Sequence, residues 1–425
     1  MNEIFEIYGG KKLSGEIDIL GTKNGTLAIL PATLLTSEPC IIRNVPLLVD
    51  VLVMLDLLKD LGAEVTWLDK KTVKIHAKEL KNKPEDKLVR KIRASILLAG
   101  PMLGRLGELE IAKPGGCHIG QRGLDAHLEG FGEAGIIAEK DDSTQEIYHL
   151  KVTNKLKPSK VTLGEFSVTA TENLMMLLSC VDGKSEIHLA ASEPHVQELG
   201  SFLMAMGAKI EGLGSHTIKI TGSANLKGVD HTIWPDYIEA GTFFALAGAT
   251  KSNLKINNVP VDYLEMVFRD LKKMGVLYRI EGNSVWINGT DSVLKAAKIQ
   301  TLPHPGFPTD LQAPFSVLCT QAEGQSLIFD TLFEGRFKYV DELKQMGANI
   351  FVFDPHRILV SGPTPLHGTK IKSFDLRSGA TLIIAALAAN GKSQLLNANE
   401  VDRGYERIEE RLQKIGAEIK RVSID

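Results

Sequence analysis

LKDLGAEV at residues 58–65, LKKMGVLY at 271–278, LKQMGANI at 343–350 and LQKIGAEI at 412–419 are one phrase written four times. Looser copies, FGEAGIIA at 131–138 and LMAMGAKI at 203–210, bring the count to six. Their glycines are Gly62, Gly135, Gly207, Gly275, Gly347 and Gly416. The steps run from 68 to 73 residues, and six of them account for the 425-residue chain. In every copy the residue four before the glycine is Leu or Phe, and the residue just before it is apolar. Those two positions share one face of a helix, and the glycine supplies the left-handed residue that ends it. The alternating segments AEVTWL (63–68), HTIKITG (216–222) and NSVWING (283–289) predict strands.

Each unit also carries a second helical segment, rich in small and apolar residues. Examples are KNGTLAILPATLLT (23–36), TENLMMLLSC (171–180), IEAGTFFALAGAT (238–250) and RSGATLIIAALAAN (377–390). With so little polar face they are expected to be buried all round, whereas YERIEERLQKIG (405–416) reads as an exposed amphipathic helix. Six units of two helices and several strands predict two pseudo-threefold α/β domains, with central helices inside and sheets outside. The third and fourth units divide near Asp230 to Asp236, and the two domains are expected to face each other across a cleft. A solenoid is the alternative, but a period of about 70 residues is long for one.

Composition narrows the function. Lys and Arg number 49 against 52 Asp and Glu, a formal net charge of −3, which argues against a dedicated nucleic-acid or anionic-membrane binder. Cys40, Cys117, Cys180 and Cys319 lie far apart with no CxxC spacing, so neither a structural zinc nor a disulfide framework is expected. The start, MNEIFEIYGG, lacks the basic and apolar regions of a signal peptide, and the longest apolar run, Ala380 to Ala389, is too short to span a membrane. A cytoplasmic protein is the expectation.

Polar and cationic residues recur where the helices are predicted to begin: Lys23, Asn24, Arg93, Arg122, Ser167, Asp310, Arg336, Arg377 and Arg403. A cation at a helix N-terminus is unfavourable by about 0.3–1 kcal/mol, so its recurrence there points to a bound anion. Arginine grips carboxylate and phosphate with two parallel bonds, which suits a small, multiply charged substrate. Any one of these residues could equally be a solvated surface charge. In PGGCHIGQR (114–122) two glycines precede Cys117, with His118 and Arg122 following, a setting that can lower a thiol's pKa. The other three cysteines read as buried and structural. LPHPGFPTDLQAPF (302–315) holds four prolines, three of which, Pro303, Pro305 and Pro308, stiffen the approach to Asp310. Either a rigidly placed general base or a simple helix cap at Thr309 or Asp310 fits that pattern. No GxGxxG opens a helix, no HExxH occurs, and NGKS at 390–393 has Ala386 where a phosphate loop needs glycine. The residues alone thus describe a two-domain protein closing on an anionic small molecule, with one activated thiol and one positioned carboxylate.

At these residues the chain resembles the enolpyruvyl transferases, and most closely their branch acting on a nucleotide sugar. The resemblance rests on GTKNGTLAILPATLLT (21–36), NVPLLVDV (44–51), RASILLAGP (93–101), PGGCHIGQRGLDAHL (114–128), SVTATEN (167–173), PDYIEAGTF (235–243), PHPGFPTDLQA (303–313), FEGRF (333–337), DLRSGATL (375–382) and DRGYERIEERL (402–412). It implies a two-domain inside-out α/β barrel, each domain built of three βαβαββ units. Residues 1–22 with 235–425 would form one domain and residues 23–234 the other. It implies transfer of the enolpyruvyl group of phosphoenolpyruvate to the 3′-hydroxyl of UDP-N-acetylglucosamine by addition and elimination, the first committed step of peptidoglycan synthesis, with no metal or cofactor.

Residue by residue, the resemblance makes Asp310 the base at the 3′-hydroxyl. Cys117 becomes the proton-transfer residue and the thiol that fosfomycin alkylates. Lys23, Arg122 and Arg403 would hold the phosphate of phosphoenolpyruvate, beside Asn24, and Arg336 and Arg377 its carboxylate. Asn24, Arg93, the loop Arg122, Gly123, Leu124, Asp125 and Ala126, then Ser167, Val168, Thr169, Asp310 and Leu332 would face the UDP-sugar. Three positions depart from the family pattern: Thr169 and Gly335 replace glycine and asparagine, and Gly123 replaces a proline beside the uracil. They leave two other readings open, a paralogue with a different nucleotide or nucleotide-sugar acceptor and a catalytically silent UDP-sugar-binding regulator.

Overall fold

A computed structural model describes residues 2–115, 123–141 and 146–424. All six repeat glycines have positive φ, from 77° to 118°. Each donates its N–H to the carbonyl three residues back, at 2.9–3.1 Å. In five copies the next residue's N–H reaches the carbonyl of the phrase's own leucine, as Ala63 to Leu58, Ala208 to Leu203 and Ala417 to Leu412. That is the paired closure of a Schellman motif, which needs a residue free to adopt the left-handed region. The leucine side chains are buried, each contributing about 1.5–3 kcal/mol.

The repeat produces a recurring βαβαββ pattern, continuous along the chain in the third and fifth units. In the fifth unit, strand Lys298–Gln300 leads to helix Gln312–Thr320, strand Gly324–Phe329, helix Tyr339–Gln345 and the hairpin Asn349–Asp354 with Arg357–Gly362. The leading strand pairs in parallel with the second, and the hairpin adds to it antiparallel, giving a four-stranded sheet. The third unit repeats this from Lys160–Thr162 to Thr217–Gly222. The remaining units borrow strands across long sequence distances. Asp230–Thr232 pairs with Cys40–Arg43 to complete the first unit, Ser14–Asp18 with Asn253–Asn257 the fourth, and Asn2–Tyr8 lies between Lys392–Leu396 and Glu418–Ile424 in the sixth.

Among the described residues the second unit is the exception, with three strands. Where a leading strand would run, Asn82 accepts one hydrogen bond from the Glu110 N–H, and Pro84 then removes a backbone donor.

Contacts divide the chain into two units, residues 2–20 with 235–424 and residues 21–115 with 123–234. Each has its own apolar core. In the first, helices Tyr237–Ala249, Gln312–Thr320 and Leu376–Ala388 pack on one another, and every residue of Tyr237–Ala249 is buried. In the second, helix Ala99–Leu106 packs on Val168–Ser179. RASILLAGPMLGRL is not one continuous helix: Arg93–Leu98 winds as a 3-10 turn before Ala99–Leu106. Pro101 explains the change, because its missing N–H cannot bond back to Leu97. Pro314 accompanies the same arrangement, with Thr309–Leu311 as the 3-10 turn. Among the described residues no helix is long and apolar enough to cross a membrane.

Candidate active site

In the unit of residues 235–424 the chemistry gathers around Asp310. The proline-rich loop is tied down on one side by Asp330, a fully buried carboxylate. Thr309 Oγ1 donates to its Oδ2 at 2.7 Å and Thr301 Oγ1 to its Oδ1 at 3.1 Å. The N–H groups of Leu332 and Phe333 donate to the same Oδ1, at 3.0 and 3.2 Å. Asp330 therefore joins the loop before Asp310 to the loop carrying Leu332 and Arg336. Arg377 is placed by a capping box, in which Asp375 accepts from the N–H groups of Arg377 and Ser378 while the Ser378 hydroxyl accepts from the Asp375 N–H.

These supports bring three predicted residues together. Arg336 Nη1 donates to Asp310 Oδ1 at 2.5 Å, and Arg377 Nε donates to Asp310 Oδ2 at 2.9 Å. Arg377 Nη1 continues to the Tyr405 hydroxyl at 3.1 Å, which lies 2.9 Å from Thr242 Oγ1. The Arg336 guanidinium stacks 4.7 Å above the Phe333 ring. Burial works to raise the Asp310 carboxyl, but the Arg336 and Arg377 charges, with their hydrogen bonds, outweigh it and hold the carboxyl well below the usual range. Asp310 is thus not the helix cap that its position also suggested.

Two expected helix starts are corrected. Arg336 lies in a turn three residues ahead of helix Tyr339–Gln345, and Arg403 ends the 3-10 turn Ala398–Arg403. The next helix begins only at Ile408, because Arg407 takes a left-handed conformation with φ of 42°. Arg403 Nη1 lies 3.2 Å from Glu400, and the neighbouring Asp402 is gripped through both oxygens by Arg421, at 2.6 and 2.8 Å.

In the unit of residues 21–234, Lys23 opens helix Lys23–Ala32 and Asn24 follows it, half-buried. Lys23 Nζ meets Asp50 Oδ2 at 2.8 Å, with side-chain exposures of 9% and 6%. A Cβ at Gly25 would fall 2.1 Å from Glu198 Oε2, so only glycine allows this helix start so close to that carboxylate. Glu198 is fully buried and accepts the Trp234 N–H at 2.7 Å.

Ser167 caps helix Val168–Ser179, which places Val168 and Thr169 in its first turn. Thr169 Oγ1 lies 2.9 Å from His127 Nε2, and His127 Nδ1 lies 3.1 Å from Asn173 Nδ2. The Asn173 amide orientation follows from its oxygen accepting the Gly100 N–H at 2.7 Å, so its nitrogen donates to Nδ1 and the imidazole Nε2–H donates to Thr169. Arg93 Nη2 donates to the Gly123 carbonyl at 2.6 Å, bracing the loop through Leu124 into helix Asp125–Glu133, where Ala126 is buried. Cys117, His118 and Arg122 lie outside the described residues.

Burial pushes the Cys40 thiol up to about 11 and those of Cys180 and Cys319 up to about 12, so all three stay protonated at neutral pH. Asp330, Tyr405 and Glu198 were not singled out by pattern. Tyr405 sits inside DRGYE, two residues after Arg403, but nothing local says that its hydroxyl reaches Arg377. Among the described residues no group of three or more His, Cys, Asp or Glu could hold a metal ion. Two guanidiniums converging on one carboxylate make a place built for carboxylate recognition.

The family model of EPSP synthase (3-phosphoshikimate 1-carboxyvinyltransferase) matches residues 7–412. This chain belongs to the EPSP synthase family. Membership makes it a transferase of the carboxyvinyl, or enolpyruvyl, group, and the six-unit α/β architecture is the family's own. The chain is 41% identical to the UDP-N-acetylglucosamine 1-carboxyvinyltransferase of Bradyrhizobium diazoefficiens, over 98% of its own length and 97% of that protein's. It is 43% identical to UDP-N-acetylglucosamine 1-carboxyvinyltransferase 1 of Carboxydothermus hydrogenoformans, over 99% of each. The crystal structure of the enolpyruvyl transferase NikO from Streptomyces tendae superposes with a TM-score of 0.90 at 25% identity, covering all of both chains. EPSP synthase from Acinetobacter baumannii superposes at 0.76 with 18% identity, again over all of both chains, a likeness of fold.

Proposed function

We propose that this family member transfers the enolpyruvyl group of phosphoenolpyruvate to the 3′-hydroxyl of UDP-N-acetylglucosamine, in the cytoplasm, for peptidoglycan synthesis. The observation that carries this reading is identity of 41–43% along nearly the whole length of relatives bearing that activity in their names. The clustering of Asp310, Arg336 and Arg377 supports it independently.

In the proposed reaction Asp310 takes the 3′-hydroxyl proton as that oxygen bonds to C2 of phosphoenolpyruvate, and C3 receives a proton. The tetrahedral adduct then loses a C3 proton and breaks its C2–O bond to phosphate. The enol ether forms, and the hydroxyl proton leaves with inorganic phosphate. Arg336 and Arg377 hold the carboxylate, and Lys23, Arg122 and Arg403 the phosphate. Fixed cations act most strongly on the leaving phosphate where water is excluded. Cys117 serves proton transfer at C3. Asn24, Arg93, the loop from Arg122 to Ala126, Ser167, Val168, Thr169 and Leu332 receive the UDP-sugar.

Purified protein given phosphoenolpyruvate is expected to release phosphate only when UDP-N-acetylglucosamine is present, and not with other nucleotides or nucleotide sugars. Release with a different acceptor alone, or none with any, would overturn the reading. Fosfomycin is expected to inactivate the enzyme and to spare Cys117→Asp.

A further inference from the structure

The two arginines proposed to receive the substrate carboxylate already hold one. Both oxygens of Asp310 are engaged, Oδ1 by Arg336 Nη1 and Oδ2 by Arg377 Nε. The three side chains are largely buried, with exposures of 21% for Asp310, 11% for Arg336 and 10% for Arg377. Two guanidiniums meet a single hydrogen-bonded carboxylate, and among the described residues the buried Arg336 Nε has no acceptor. Among the described residues Arg377 hydrogen-bonds, besides Asp310, the Tyr405 hydroxyl, lies over the Tyr405 ring and feels the charge of the buried Asp236, and Arg336 lies over the Phe333 ring. The arrangement has the form of a carboxylate receptor closed on an internal guest.

We propose that Asp310 stands in the ligand-free protein where the carboxylate of phosphoenolpyruvate binds, so that the substrate displaces it and the displacement frees Asp310 to act as the base. This rests on the proposed function. The chemistry favours coupling the two events. A carboxylate held by two guanidiniums has its lone pairs committed and its charge compensated, and is a poor proton acceptor. An incoming carboxylate takes the same two donors and adds a like charge beside Asp310, and both effects raise its basicity. The buried Arg336 Nε–H supplies a donor that Asp310 does not use and that a differently angled guest carboxylate can. The base would then be switched on only when the donor substrate is in place, which protects the site from accepting protons unproductively.

The test is the affinity for phosphoenolpyruvate alone, measured by calorimetric titration of the full-length wild type and of Asp310→Asn. Removing the internal competitor is expected to tighten phosphoenolpyruvate binding at least tenfold, although the variant cannot turn over. Equal or weaker affinity in the variant, or no binding to either protein, would overturn the proposal. Should Asp310→Asn not fold, a crystal structure of the wild type soaked with phosphoenolpyruvate decides. The substrate carboxylate is expected on Arg336 Nη1 and Arg377 Nε with Asp310 rotated away, and an Asp310 that keeps both bonds beside bound substrate refutes the exchange. Acceptor-dependent phosphate release by the wild type separates the two levels: turnover without tighter binding by Asp310→Asn sinks this inference alone, and no turnover sinks the assigned reaction.

Discussion

Replacing Asp50 by asparagine should destabilise the unit of residues 21–234 far more than an ordinary ion-pair deletion. Lys23 and Asp50 lie 2.8 Å apart, and neither side chain is more than a tenth exposed. Exposed pairs contribute about 0–1 kcal/mol, but removing one partner of a buried pair leaves a desolvated charge behind and costs about 3–5 kcal/mol. Lys23 also sits at the N-terminus of its own helix, where the dipole opposes a cation, whereas Asp50 lies in the first turn of helix Val49–Asp60, where the dipole favours it. Asparagine keeps the shape, removes the charge and turns one acceptor oxygen into an NH2 donor. With a urea slope of about 2 kcal/mol per molar, a loss of about 4 kcal/mol moves that unit's midpoint down by roughly 2 M. The double variant Lys23→Met/Asp50→Leu should recover much of the loss, since an apolar pair needs no compensation. A midpoint shift in Asp50→Asn under about 0.5 M, or strict additivity in the double-variant cycle, would refute the reasoning.

Three further outcomes follow from other parts of the molecule. Burial, and then the nearby Glu193, push the Glu172 carboxyl well above its usual range, so the folded protein keeps a proton that the unfolded chain loses. The stability this represents is complete below the unfolded pKa of about 4.3 and drains away as pH rises, by up to about 1.4 kcal/mol per unit. Glu172→Gln should remove that decline in a pH series of unfolding free energies, and unchanged slopes would count against a buried neutral acid. Asp402→Asn releases the turn carrying Arg403 from Arg421, which keeps Glu409 and Glu3 at 2.7 and 2.8 Å. A several-fold higher KM for phosphoenolpyruvate is expected with an unaltered KM for the UDP-sugar; a rise in both would mean general loosening. Thr169→Gly removes the acceptor of the His127 Nε2–H and adds backbone freedom near a helix start, costing about 1–2 kcal/mol by chemical denaturation. No measurable loss would show that His127 finds another partner.

Much of the architecture was legible because it is local and repeated. Gly62 through Gly416 needed only the spacing of one phrase, and each adopts the left-handed conformation that ends its helix. The apolar run of Tyr237–Ala249 announced a helix buried all round, and the charges of Ile408–Lys414 announced an exposed amphipathic one, with Ile408 and Leu412 buried. Strand exchange was not legible in this way. Nothing in DHT at 230–232 says that it pairs with Cys40–Arg43, because register between distant segments is decided by packing.

Of the site, residue types were easier to read than partners. Asp310, Arg336 and Arg377 could each be picked out by chemistry. That they bind one another across 26 and 67 residues is a tertiary fact. Arg403 shows the opposite error: its charge was noticed, but the left-handed Arg407 separates it from the helix it was expected to begin. Asp330 gave no local signal, since a carboxylate after a strand reads as a turn residue until its four donors are seen.

The most direct test of the central claim is a proton NMR spectrum of the protein incubated with phosphoenolpyruvate and UDP-N-acetylglucosamine. Enolpyruvyl transfer predicts new vinyl-ether signals on a product substituted at the sugar's 3′-oxygen, growing in step with inorganic phosphate and absent when either substrate is omitted. Phosphate without the vinyl ether, or an unchanged spectrum, would contradict it.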